Sequence, residues 1–194
     1  MTTVTTTPDV QLKPGEQPRL TTGRWRVGPA DSHASFAARL AGRRVRGRLP
    51  LTGQVLITDP IEESTALLTA RTSAVSTGSP VLDRVLAGPA FLDAQAYPAI
   101  RFQSDLLARV PTGWRAVGRL QVKNGKHELA CEFGVHHLGD ARPGGAPRLV
   151  IACTWVIDST WVTSQRIPAL GRRIAMTCAF SLYPDMYATR HRAL

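Results

Sequence analysis

Alternation of apolar and polar residues with a period of two is the feature that most constrains how this chain can fold. One face of segment 114–122 consists of Trp114, Ala116, Gly118, Leu120 and Val122. The same alternation recurs over 129–135, 149–157 and 174–182. Because successive side chains of a β-strand point to opposite faces, the pattern predicts strands with one apolar and one polar face.

Weaker strand signals fill most of the remaining chain. They cover residues 24–28, 34–41, 44–58, 64–73 and 99–109. Between two of the strong segments lies Asn124-Gly125, a dipeptide typical of tight β-hairpins. Eight or nine strands joined by short loops, each with one apolar face, predict an all-β antiparallel sandwich or barrel.

Residues 79–97 interrupt the strand pattern with a predicted short helical insertion. Ser79-Pro80 is a typical helix start, because Ser caps the helix and Pro fits its first turn. The apolar residues that follow at helical spacing are Val81, Leu82, Val85 and Leu86. Gly88-Pro89 ends this helix, and a second turn through Phe91-Leu92 ends at Tyr97-Pro98, since a residue before Pro favours extended backbone. We expect the insertion to close one end of a barrel.

The two ends of the chain differ from its middle. Residues 1–22 are rich in Thr and Pro and have almost no apolar periodicity, which predicts a disordered N-terminal arm. Residues 184–194 are predicted to be a short charged tail. No secretory leader is predicted, because the N-terminus lacks a basic segment followed by an apolar one. Three cysteines without close pairs suit a reducing compartment, so we expect a cytoplasmic location.

Six separated segments carry motifs of a known family in the same order. They are WRVGPADSHASF (25–36), VRGRL (45–49), TSAVSTG (72–78), FLDAQAYPAIRFQS (91–104), GRLQV (118–122) and IDST (157–160). Through them the chain resembles the YceI-like family, the lipocalin-like polyisoprenoid-binding proteins. The resemblance implies an eight-stranded antiparallel lipocalin-like barrel domain over 23–183, with an isoprenoid or other lipid chain held inside it. It implies no enzymatic mechanism, and it makes a homodimer a reasonable expectation.

The apolar strand faces predict which residues meet the ligand. From periodicity alone, a solid core is favoured over a cavity, because apolar strand faces usually form core. The resemblance favours a cavity instead. The residues expected to line it are Phe36, Phe102, Trp114, Leu120, Phe133, Trp155 and Phe180. Each buried methylene contributes ~0.8 kcal/mol, so an isoprenoid, an isoprenoid quinone or a related lipid can bind there without a headgroup contact, for sequestration or transport.

Apart from the bound lipid, no cofactor and no metal ion are expected. Cys131, Cys153 and Cys178 fall on apolar strand faces without Cys-x-x-Cys spacing, which favours buried packing over a metal site. His136-His137 are neighbours on one strand and point to opposite faces. Asp31-Ser32-His33 are adjacent in sequence, which favours a polar turn over a catalytic relay. Since no catalytic set can be assembled on the inward faces, we predict a binding protein rather than an enzyme acting on a lipid.

Positive charge leaves an alternative function open. The chain has 24 Lys and Arg against 14 Asp and Glu, which is compatible with a basic nucleic-acid or anionic-surface binding module. Arg44, Arg46 and Arg48 share one strand phase and predict a solvated outer face. Nucleic acid is not favoured, because no aromatic residues interleave with these arginines for base stacking. Arg39 and Arg43 are expected near the barrel mouth, where they meet a ligand headgroup, a phosphate or, transiently, a membrane surface.

Overall fold

Nine β-strands and one α-helix make up the part of the chain that the structure describes. This computed structural model describes residues 20–28, 30–138, 148–163, 167 and 170–185. The strands are β1 Gly23–Val27, β2 His33–Leu40, β3 Arg43–Ile57, β4 Thr65–Arg71, β5 Ala99–Val110, β6 Gly113–Val122, β7 Gly125–Leu138, β8 Arg148–Asp158 and β9 Arg173–Pro184. Helix α1 is Pro80–Ala87, and short 3-10 helices are Ile61–Glu63, Thr72–Ala74 and Ser159–Trp161. Most of the predicted arm and tail, residues 1–19 and 186–194, lie outside the described residues.

Strands β2 to β9 form a closed antiparallel barrel. Each strand pairs with the next along the chain, and β9 returns to pair with β2, which closes the sheet. The four strongly alternating segments lie in β6 to β9, and their apolar faces point into the barrel. The predicted eight-stranded antiparallel barrel with one short helix is therefore confirmed.

β1 and β2 act as one interrupted strand between β3 and β9. β1 pairs with the C-terminal parts of those two strands, and β2 pairs with the parts that precede them. Between β1 and β2, Ser32 makes the hydrogen bonds to β3 and β9 that replace those of a continuous strand. Its Oγ accepts from the Ser181 amide at 3.1 Å, and its carbonyl accepts from the Leu51 amide at 3.0 Å. Asp31 beside it pairs with Arg148 at 3.3 Å, so this segment is a polar turn, as the sequence favoured.

One end of the barrel is filled by its own side chains. Leu149 has no exposed surface, and Trp25 is 3% exposed in the same core cluster. The indole nitrogen of Trp25 donates to the Thr21 carbonyl at 3.1 Å, which ties the chain before β1 to this end. Among the described residues, side-chain packing therefore closes this end of the barrel.

The opposite end is covered by residues 72–98, which we call the cover segment. Within it, the Ser79 Oγ accepts from the Leu82 amide at 3.5 Å, and α1 ends at Gly88, whose amide donates to Val85. The predicted start and end of the helix are confirmed. The second predicted turn is a set of hydrogen-bonded turns, in which the Tyr97 amide donates to the Asp93 carbonyl. None of the helices in the described ranges has the length and apolar character needed to cross a bilayer.

The base of the cover segment is fastened by one buried threonine. The Thr72 hydroxyl donates to the Tyr97 carbonyl at 2.7 Å, and the Thr72 amide donates to the Pro98 carbonyl at 3.1 Å. A second contact joins the segment to the β6–β7 hairpin, where the Asn124 side-chain amide donates to the Tyr97 hydroxyl at 2.8 Å. The cover is therefore held at both of its chain ends and against one neighbouring hairpin.

Candidate functional site: an apolar cavity

An apolar cavity of about 180 Å³ occupies the barrel interior below the cover segment. Every described residue of its wall is aliphatic, aromatic, Met or Cys. An apolar cavity of ~150 Å³ is large enough to admit a benzene molecule, so this space accepts on the order of one or two isoprene units without rearrangement. A longer chain must displace side chains of the wall or of the cover segment.

Small inward residues create the space. Ala34, Ala38, Ala66, Ala70 and Ala116 come from the three strands β2, β4 and β6, and all contribute to the wall. Larger side chains at the same inward positions would fill an eight-stranded barrel, whose interior is only just wide enough for its own side chains. The cavity therefore results from the choice of small residues at these positions.

Six of the seven residues expected to line the cavity are in its wall. They are Phe36, Phe102, Leu120, Phe133, Trp155 and Phe180. Trp114 is the exception and corrects that expectation. It is 6% exposed and belongs to the core cluster that includes the packed end, with the Arg109 guanidinium 5.7 Å from its ring centre. Its strand phase was predicted correctly and its pairing partner Phe133 lines the cavity, but the Trp114 side chain is not in the wall.

The cover segment and the chain before β1 supply lining residues that the alternation pattern did not indicate. Val75, Leu86, Phe91 and Leu92 come from the cover segment, and Leu20 comes from the predicted N-terminal arm. Period-two alternation cannot identify them because none of them lies on a strand. For Leu86, the helical spacing from Leu82 was the sequence pattern that indicated an inward-facing residue.

The three cysteines lie side by side in the wall. Cys153 and Cys178 are directly opposite each other on β8 and β9, and Cys131 on β7 hydrogen-bonds to Cys153. The hydrogen bond to Cys153 and burial raise the pKa of Cys131. The bond to Cys131 lowers the pKa of Cys153, but the bond to Cys178 and burial outweigh it and raise this pKa to about 12. The thiols of Cys131 and Cys153 are therefore protonated at neutral pH, as expected for small buried side chains.

Metal ligands are not gathered anywhere in the described part of the chain. Groups of three or more His, Cys, Asp or Glu suited to a metal ion are absent from those residues. His127 instead stacks on Trp161, with 3.9 Å between ring centres. The side chains of His136-His137 lie outside the described part of the structure.

Arg39 and Arg43 are exposed on the β2–β3 hairpin, at the same end of the barrel as the cover segment. Leu40 between them lines the cavity, and the Arg39 carbonyl accepts from the Gly171 amide at 2.8 Å. Arg44, Arg46 and Arg48 are also exposed, on the outward face of β3. Two arginines therefore flank the rim of the cavity, and three cover the outside of one strand.

Comparison with known proteins identifies the family. The model of the YceI-like domain matches residues 25–162. The chain belongs to the YceI-like family. No curated protein matches the chain.

Several solved structures share the fold. BcnA from Burkholderia cenocepacia is 16% identical, with a TM-score of 0.68, and the match covers 80% of this chain and 98% of BcnA. The YCEI protein of Campylobacter jejuni is 15% identical, with a TM-score of 0.62 over 73% of this chain and 85% of that one. A polyisoprenoid-binding domain from Saccharophagus degradans, implicated in plant cell wall breakdown, is 12% identical, with a TM-score of 0.61 over 84% and 99%. At these identities the likeness concerns the fold.

Proposed function

We propose that this protein binds an isoprenoid, an isoprenoid quinone or a related lipid chain in the barrel cavity, for sequestration or transport. The observation that carries the proposal is an interior space of about 180 Å³ in which every wall residue that the structure describes is apolar. The domain from Saccharophagus degradans, which shares the fold, is described as polyisoprenoid-binding. Burying the five carbons of one isoprene unit contributes roughly 4 kcal/mol before the ordering of the chain is subtracted.

Binding rather than catalysis is the function that this wall supports. Acid–base and nucleophilic catalysis need a carboxylate, imidazole, amine, hydroxyl or thiolate at the reacting atoms. From this group, the described part of the wall offers only thiols, and those of Cys131 and Cys153 have raised pKa values. We therefore propose no chemical step on the bound lipid.

A variant that fills the cavity tests the proposal. Ala116 is 5% exposed and lines the cavity, so the three extra carbons of Ala116→Leu take the place of about three ligand methylenes. We expect ligand affinity to fall by about 2.4 kcal/mol, or roughly 50-fold. Ala152→Leu, on the exposed face of β8, is the matched control and should bind like the wild type. Affinity is measured by displacement of a fluorescent apolar probe, and native mass spectrometry identifies any lipid that copurifies.

Two results would contradict this proposal. Equal affinity of Ala116→Leu and wild type would show that the ligand does not occupy this space. The absence of both copurified lipid and probe binding would argue that the interior is not a ligand site. Circular dichroism of each variant shows whether the barrel is folded.

We further propose that the covered end contacts an anionic membrane surface when the lipid enters or leaves. Val81 is 72% exposed and Val85 48% exposed on the outer side of α1, with Arg84 exposed on the same side. Arg39 and Arg43 lie at the same end of the barrel. Exposed apolar side chains beside cationic ones favour insertion at the interface of an anionic bilayer. A ligand would then pass between bilayer and cavity without crossing water.

Vesicle sedimentation tests the membrane contact. The double variant Arg39→Gln, Arg43→Gln should bind vesicles containing phosphatidylglycerol about 30-fold less tightly, at roughly 1 kcal/mol for each arginine. Arg46→Gln, Arg48→Gln on the outside of β3 is the matched control and should change binding much less. Binding to a random oligonucleotide but not to vesicles would support the nucleic-acid alternative. Among the described residues, however, the large exposed apolar side chains include no aromatic ring on which a base could stack.

A homodimer is the remaining expectation from the family resemblance. Analytical ultracentrifugation at several protein concentrations measures the molecular mass directly. A mass of 21.0 kDa at every concentration would show a monomer and contradict this expectation.

A further inference from the structure

One buried polar atom in the cavity wall has no hydrogen-bond partner. Among the side chains that the structure describes, the indole nitrogen of Trp155 is the only buried nitrogen or oxygen atom without one. Trp155 lies on β8 opposite Met176 of β9, and both residues line the cavity. Buried indole N–H groups usually find an acceptor, as Trp25 does with the Thr21 carbonyl. The Trp155 donor is therefore the exception that needs an explanation.

The neighbouring thiols leave this donor without a partner. Cys153 is two residues away on the same face of β8, but it hydrogen-bonds with Cys131 and Cys178. Among the described wall residues, only Trp155 carries a side-chain nitrogen or oxygen atom. A buried unpaired donor destabilises the folded protein. An acceptor brought by a ligand would recover part of that free energy on binding.

A water molecule is a poor candidate for this acceptor. Buried water is held by two to four polar partners, and this wall offers one N–H and weakly polar thiols. A charged headgroup is excluded by the same wall, because a carboxylate or phosphate would be buried without a counter-charge. A neutral ligand oxygen needs only the single hydrogen bond that the wall supplies.

We propose that Trp155 is the polar anchor of the cavity and that the preferred ligand is an apolar chain with a neutral acceptor oxygen, as in a ketone, quinone or ester. The inference rests on the proposed function and specifies its ligand class. The indole nitrogen itself has less than 1 Å² of exposed surface. An acceptor therefore reaches it when the indole or a neighbouring side chain changes rotamer as the ligand enters.

A comparison of two ligands and two proteins tests the anchor. The ligands are a long-chain methyl ketone and the alkane with the same carbon skeleton, each measured by displacement of a fluorescent apolar probe. The ratio of ketone to alkane affinity should be about fivefold to tenfold higher in the wild type than in Trp155→Phe. Trp114→Phe, buried outside the cavity wall, is the matched control and should keep the wild-type ratio.

The indole N–H resonance gives a second measurement that does not depend on the variant's folding. In the wild-type protein, binding of the ketone should shift the resonance of the Trp155 indole N–H proton downfield, whereas binding of the alkane should cause no downfield shift. An unchanged resonance, or the same affinity ratio in wild type and Trp155→Phe, would overturn the anchor while leaving lipid binding intact. If neither ligand displaces the probe, the proposed function fails and the anchor fails with it.

Discussion

The fastening of the cover segment by Thr72 leads to a specific prediction for Thr72→Val. Thr72 is 1% exposed, and its hydroxyl donates to the Tyr97 carbonyl at 2.7 Å. Valine has nearly the same shape but no donor, so the substitution leaves that carbonyl without this partner. Loss of one partner of a buried hydrogen bond destabilises by about 1–3 kcal/mol. For a chain of this length we expect the melting temperature to fall by roughly 2–12 °C.

The assay is thermal unfolding followed by circular dichroism, together with hydrogen exchange across residues 72–98. Exchange should increase most in the cover segment, because the lost bond joins its two ends. Thr177→Val is the matched control, since Thr177 is exposed on the outer face of β9 and should change stability by less than about 0.5 kcal/mol. A melting temperature of Thr72→Val within one degree of wild type, or an equal loss in Thr177→Val, would refute this reasoning.

Three further predictions concern the barrel wall, a loop and the thiols. A Cβ at Gly118 would overlap the Gln103 carbonyl oxygen on β5, so Gly118→Ala should lower the free energy of unfolding by about 1–3 kcal/mol. An unchanged midpoint of urea unfolding would contradict that close contact. Hydrogen bonds from Arg172 and then Thr160 hold the pKa of Asp158 at about 2, so its stabilising effect is present above pH ~4 and is lost as the pH falls toward 2. An NMR titration midpoint near the ordinary value would argue against that pairing. The pKa of Cys153 is about 12, so iodoacetamide at pH ~8 should label it slowly in the folded protein and quickly in guanidinium. Rapid labelling of the folded protein would contradict the raised pKa.

Strand number, strand faces and the helix could be predicted because they depend on local chemistry. Alternation specifies which side of a strand is apolar, and Ser79-Pro80 and Gly88-Pro89 specify where α1 begins and ends. These features need no knowledge of distant residues. The resemblance to a family then selected a barrel over a sandwich, which periodicity alone had left open.

Register was less accessible to prediction. Asn124-Gly125 indicated the right hairpin, but Val122 pairs with Gly125, so the two loop residues are Lys123 and Asn124, with Lys123 at φ 53°. The register also shifts between Ser104 and Leu106, where the Ser104 hydroxyl accepts from the Ala66 amide at 2.7 Å. Each strand of a closed barrel pairs with two neighbours, so its register depends on both of them and not on one turn.

The sequence by itself determined that the apolar faces of the strands meet in one interior, with a short helix at one end. Only the tertiary structure decided that this interior is partly hollow, that Trp114 lies outside the hollow, and that the Trp155 indole nitrogen is left unpaired there. The physical reason is that alternation sets the direction of a side chain but not the volume or the partners it meets. Those depend on strand tilt, register and the sizes of residues on facing strands, which are far apart in the sequence.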